Sequence, residues 1–158
     1  MTTSGPNPLA RVQLFRGVAL DALNALLTRS VARSYEPGEV LLSEGQPGTS
    51  MHVILRGKVR VQRVPEGLTQ PYELARLATG DVIGEIGLLD GLPRTATVVA
   101  LDTTETIEID GEALAETMME FPSAAVALLR TVSTRLRKAD DLTAWYASRA
   151  PEHPDAED

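Results

Sequence analysis

The spacing of apolar residues changes twice along the chain, dividing it into a helical start, a β-rich middle and a helical end. After Gly17, Leu20, Leu23 and Leu27 recur at three- and four-residue intervals within 18–27, which predicts a short helix whose leucines pack into a core. From Tyr35 to Ile109 the apolar runs shorten to strand length and are parted by Gly and Pro: 40–42, 51–55, 59–64, 72–77, 95–101 and 104–109. In 59–64, Val59 and Val61 alternate with Arg60 and Gln62, so the polar residues, with Arg63, face solvent at least in part. The stretch from Pro65-Glu66-Gly67 to Pro71 reads as a loop. Many short strands with frequent turns predict a β-barrel or jelly roll. The fold class is therefore α+β, mainly β.

Helical spacing returns near residue 112. Glu112 to Glu120 predicts one short helix, halted at Phe121-Pro122 because proline disfavours helical backbone in the residue before it. Ser123 carries the hydroxyl expected of a helix cap and opens a longer helix running to about Arg149. Its apolar stripe runs through Ala125, Leu129, Val132, Leu136 and Ala139, then less regularly through Leu142 and Tyr146. Such a stripe is more often ordinary core than an oligomer seam. One domain thus spans 1–150, with a barrel over 35–110 and C-terminal helices over 112–149. The tail 151–158 is acidic and poor in apolar residues, and is expected to be disordered.

Composition narrows the classes of function. The chain has 158 residues, enough for one domain with a buried core, and no cysteine, so neither a disulfide framework nor a thiolate metal site is available. No apolar run approaches the ~20 residues of a membrane span, and the polar start Met1-Thr2-Thr3-Ser4-Gly5-Pro6 is unlike a signal peptide. A soluble cytoplasmic protein is expected. The net charge of −7, from 15 Lys plus Arg against 22 Asp plus Glu, repels a polyanion. Any phosphate-bearing ligand must then be held by a local cation.

The run from Gly80 to Val98 supplies that cation beside one carboxylate, around a turn punctuated by glycine. Gly84 and Gly87 let the backbone approach a ligand closely, and the amides of Glu85 to Leu88 could point at phosphate oxygens as helix N-termini do. Arg94 brings a planar fork that matches two phosphate oxygens. An ionised Glu85 only accepts hydrogen bonds, so beside a phosphate it would have to face a hydroxyl donor such as a ribose 2′-OH. The blander alternative is a loop with a surface ion pair worth under ~1 kcal/mol.

The same run resembles the phosphate-binding cassette of the cyclic nucleotide-binding domain family, to which catabolite activator proteins and protein kinase A regulatory subunits belong. That pattern is roughly Gly-Glu-(Leu/Ile)-(Ala/Gly)-Leu, a spacer, then Pro-Arg-(Ser/Thr/Ala)-Ala-(Thr/Ser)-Val, and Gly84 to Leu88 with Pro93 to Val98 fill every position. Flanking runs 35–39, 44–48 and 54–59 look like the family's first barrel turns, so the likeness covers roughly residues 9 to 142. The resemblance implies a jelly roll with short N-terminal helices, a cassette helix and a long C-terminal lid helix. It implies Glu85 on the ribose 2′-OH, Arg94 on the cyclic phosphate, the amides of Gly84, Ile86 and Gly87 around the sugar-phosphate, and Thr95 near phosphate or base. Leu88 completes the cassette. Alignment on Pro122 and Thr134-Arg135-Leu136-Arg137 puts Ala139 and Asp140 where the family contacts the base, although this chain departs there from the usual Thr-Ser or Thr-Asn.

These readings lead to a stand-alone sensor of a 3′,5′-cyclic mononucleotide, without cofactor, that signals to a protein partner by moving its C-terminal helix. The alternative is a degenerate domain acting as a ligand-independent interaction module. Asp140 could accept from the adenine amino group or from guanine N1–H and N2–H2, and Thr95 could reach the guanine 2-amino group in the syn form. Cyclic AMP is kept ahead of cyclic GMP by a small margin. In this family the matching helix often pairs two subunits, so a homodimer is expected. The chain lacks the helix-turn-helix and the membrane spans of other family members, so DNA binding through it is not expected, and Arg130, Arg135, Arg137 and Lys138 read as the wet face of the helix. Enzymatic readings fare poorly. His52 and His153 are the only histidines, too few for a clustered metal site, and no Gly-x-Ser-x-Gly elbow is present.

Overall fold

The computed structural model describes residues 5–149. Two short 3-10 turns, Pro8–Arg11 and Gln13–Phe15, precede the helix α1 (Leu20–Thr28). Eight strands follow: β1 (Val31–Tyr35), β2 (Val40–Leu42), β3 (Ser50–Arg56), β4 (Lys58–Arg63), β5 (Tyr72–Ala78), β6 (Val82–Ile83), β7 (Thr97–Ala100) and β8 (Thr104–Asp110). A short helix, α2 (Glu85–Asp90), interrupts them between β6 and β7, and α3 (Gly111–Glu120) and α4 (Pro122–Ala147) complete the chain. The strands form two four-stranded antiparallel sheets in the orders β1-β8-β3-β6 and β2-β7-β4-β5. This is the expected jelly roll, built as two facing sheets. The tail 151–158 and its expected disorder lie outside the described residues.

Two apolar clusters hold the layers. Leu42, Ile54, Val59, Ile83 and Val98 fill the space between the sheets. Leu14, Phe15, Leu23, Leu26, Met51, Ile109, Leu114 and Leu128 join the outer face of the first sheet to the helices. Each such side chain contributes on the order of 1.5–3 kcal/mol by leaving water.

Three local expectations differ from the structure. In α1 the buried residues are Ala22, Leu23 and Leu26, while Leu20 is exposed and Leu27 is only partly buried, because the helix begins at Leu20 and turns that residue outward. Ser123 is not the cap of α4. The helix begins at Pro122, whose missing N–H costs nothing in a first turn, and Ala124 N–H donates to Phe121 O at 2.9 Å. The apolar stripe on α4 is also out of phase with burial. Ala124 and Leu128 face the core, whereas Leu129, Val132, Leu136 and Leu142 are exposed. The preceding helix matches its expectation closely, with the Asp110 carboxylate accepting from Ala113 N–H at 2.7 Å.

Candidate functional site

The turn at 44–48 fixes the backbone of Arg94. Gly45 N–H donates to Arg94 O and Arg94 N–H donates to Gln46 O, both at 2.8 Å, and Pro47 bridges to Pro93. Gly48 presses directly on the cassette, since a Cβ there would lie 2.5 Å from the carbonyl carbon of Gly87. That contact seats α2 against the turn. Gly84 enters α2 in the left-handed region at φ +80°, and a Cβ on it would meet Arg94 Nη1 at 2.5 Å. The amides of Glu85, Ile86 and Gly87 open α2, where no acceptor exists one turn earlier within the helix.

Arg94 is a buried residue, 7% exposed. Nη1 donates to Gly84 O at 2.8 Å and Nη2 to Ser50 O at 2.5 Å. Two backbone carbonyls therefore aim the fork, yet among the described residues no carboxylate comes within ion-pair distance of it. Burial pushes its pKa down, and the more distant Glu108 carboxylate opposes this. The result is a positioned, buried cation without a direct counter-ion.

Beside it opens a cavity of about 180 Å3. Leu42, Val61, Leu77, Val82, Ile83 and Val98 give it an apolar floor, while Gly84, Glu85, Ile86, Gly87, Arg94 and Thr95 form its polar rim. Six of the nine residues singled out in the sequence thus converge. Leu88 instead packs back toward the helical core. Ala139 and Asp140 are exposed on α4 and do not line the cavity.

Glu85 has a partner that sequence reasoning missed. Arg135, read as part of the wet face of α4, places Nη1 at 3.4 Å from Glu85 Oε1. The cassette is thereby tied to the C-terminal helix across 50 positions of sequence. Its signal in the sequence was slight: an arginine at helical spacing on a polar face.

A family model, the cyclic nucleotide-binding domain, matches residues 32–121, more than half of the chain and the whole of this site except α4. The chain belongs to the cyclic nucleotide-binding domain family. Over 134 residues it is 29% identical to the CRP-like cAMP-activated global transcriptional regulator of Mycobacterium tuberculosis, covering 84% of this chain and 59% of that protein. The cyclic AMP receptor protein of Thermus thermophilus is 32% identical, over 86% of this chain and 64% of its own length. The solved catabolite activator protein of Thermus thermophilus superposes with a TM-score of 0.74 at 30% identity, over 85% of this chain and 63% of that one. The chain therefore spans about three-fifths of the length of these relatives. It is also 35% identical, over 81% of its length, to 38% of the acetyltransferase Pat of Mycolicibacterium smegmatis. Among the described residues no group of acidic residues and histidines has the arrangement of a metal site, and no helix is long and apolar enough to cross a membrane.

Proposed function

We propose that this chain senses a 3′,5′-cyclic mononucleotide, cyclic AMP ahead of cyclic GMP, and reports it through α4. The observation that carries this reading is Arg94: a buried guanidinium, aimed by two carbonyls into a cavity and lacking a carboxylate partner, suits one compact anion. A cyclic phosphate carries a single charge, which one arginine balances. The free amides opening α2 add donors on the same side of the cavity. Glu85, at the rim, accepts the ribose 2′-OH, and Thr95 reaches the phosphate or base.

Signalling follows from the Glu85–Arg135 contact. A ribose hydroxyl on Glu85 competes with or rearranges Arg135, so ligand biases the pose of α4, and the shift is limited by the ligand's differential affinity for the two poses. Ala139 and Asp140 would come to the base only in the closed pose. The exposed Leu129, Val132 and Leu136 support pairing with a second copy or with another protein partner. No reaction and no DNA contact are assigned to this chain, and its working place is the cytoplasm.

Calorimetric titration with cyclic AMP, cyclic GMP and 2′-deoxy cyclic AMP tests the reading. The expected result is saturable binding, strongest for cyclic AMP and weakened by loss of the 2′-hydroxyl, because the Glu85 carboxylate is then left without that donor. Absence of binding by all three would leave the interaction-module reading in its place.

A further inference from the structure

A second cavity, of about 410 Å3, lies where α4 passes the 3-10 turn Gln13–Phe15. Arg16, Arg130, Arg135 and Lys138 line it, with the Gln13 side chain, and no carboxylate does. On a chain of net charge −7 with only 15 Lys plus Arg, four cations converge on one hollow. Arg135 reaches Glu85 at 3.4 Å, but among the described residues Arg16, Arg130 and Lys138 form no ion pair.

One wall is anchored in the core. Leu14 and Phe15, at 1% and 2% exposure, anchor the turn that presents Gln13 and Arg16. Arg135 and Lys138 lie along the continuation of the α4 face that Ala124 and Leu128 pack into the core, and Arg130 stands on the flank of that face. The stripe of Leu129, Val132 and Leu136 is centred away from this cationic face, with Val132 at its border. A concave site lined by one sign of charge focuses its field on a counter-ion. Thr131 and Thr134 already donate their hydroxyl protons to Ala127 O and Arg130 O, so donation to a ligand falls to the cations and Gln13.

We propose that this cavity is a second binding site, for a small anion carrying at least two linked phosphates, distinct from the cavity at Arg94. A terminal phosphate carries about −1.5 to −2 at neutral pH, so two in series match a cluster of three or four cations where a singly charged cyclic phosphate does not. The hollow is too small for an extended polyanion, which the net charge also repels.

Inorganic pyrophosphate is the probe, titrated calorimetrically in about 0.1 M salt, where exposed charges are screened beyond roughly 10 Å. Wild type and Arg94→Ala are expected to bind one equivalent alike, with the Gln13 side-chain amide shifting in NMR spectra. Arg130→Glu combined with Lys138→Glu should weaken binding by about tenfold or more, Arg130→Lys should largely retain it, and orthophosphate should bind more weakly. Arg135 is left intact because it also touches Glu85. Unchanged affinity in the folded double variant, loss of binding in an Arg94→Ala variant shown to be folded by circular dichroism, or orthophosphate binding as tightly as pyrophosphate would overturn the proposal.

Discussion

The pocket around Arg94 and the distal half of α4 are built on opposite terms. In the pocket Arg94 and the glycines around it are held from several sides: the 44–48 turn grips the Arg94 backbone, two carbonyls grip its guanidinium, and Gly48 and Gly87 pack backbone to backbone. From Val132 to Trp145 every residue of α4 is exposed. A helix without a buried face draws little from tertiary packing and rests mainly on propensity and local pairs. A sensor needs both conditions. The receiving half must be shaped before the ligand arrives, and the reporting half must lie close in energy to another pose.

The sharpest way to break this contrast is at Arg94. Arg94→Leu should cost about 2–5 kcal/mol of cyclic nucleotide binding, which calorimetry would register as near-complete loss. The Gly84 and Ser50 carbonyls lose their donor as well, so a stability loss of about 1–3 kcal/mol should accompany it. Retained affinity in a folded variant would remove Arg94 from the site.

Next in size is a pH effect confined to the built half. His52, 2% exposed on β3, shares a hydrogen bond between Nδ1 and Thr106 Oγ1 at 3.0 Å and meets the Tyr35 ring edge-on. Burial lowers its pKa to about 4, with Arg94 and Arg33 adding to the fall and Glu108 opposing it. A base depressed below its unfolded value of 6.5 takes up protons more readily when unfolded. Stability from this group is therefore complete above pH 6.5 and declines as pH falls toward 4, by about 3 kcal/mol in all. Urea unfolding at pH 7.5, 5.5 and 4 should show the decline, and His52→Gln should flatten this component.

Gly84→Ala should cost about 1–3 kcal/mol of stability through its positive φ and displace Arg94 Nη1, weakening binding while the sheets persist. Arg135→Ala is the smallest perturbation. Its pair with Glu85 is partly exposed and worth under ~1 kcal/mol, so unfolding should barely change while the response of α4 to ligand does.

Much of the receiving half was legible in the sequence. Short strands, turn glycines and the ordered Gly84-to-Val98 pattern depend on local spacing, and six of the eight strands fall where they were read; β1, with no alternation of burial, and the two-residue β6 gave no such signal. Contacts between distant segments were not legible. Nothing local says that the Ser50 carbonyl aims Arg94, or that Arg135 rather than Asp140 reaches the cassette. The phase of α4 was misread because its apolar residues nearly encircle the helix, and only packing chose Ala124 and Leu128 over Leu129 and Val132. Leu20 fell to the same ambiguity at a helix end.

Amide hydrogen exchange with and without saturating cyclic AMP, binding having been verified by calorimetry, tests the division between built pocket and movable helix most directly. The account predicts slow exchange in β3, β7 and β8 in both states, with protection rising chiefly in α2 and from Thr131 to Trp145 once ligand is bound. Equal exchange along α4 in the free and bound protein would contradict it.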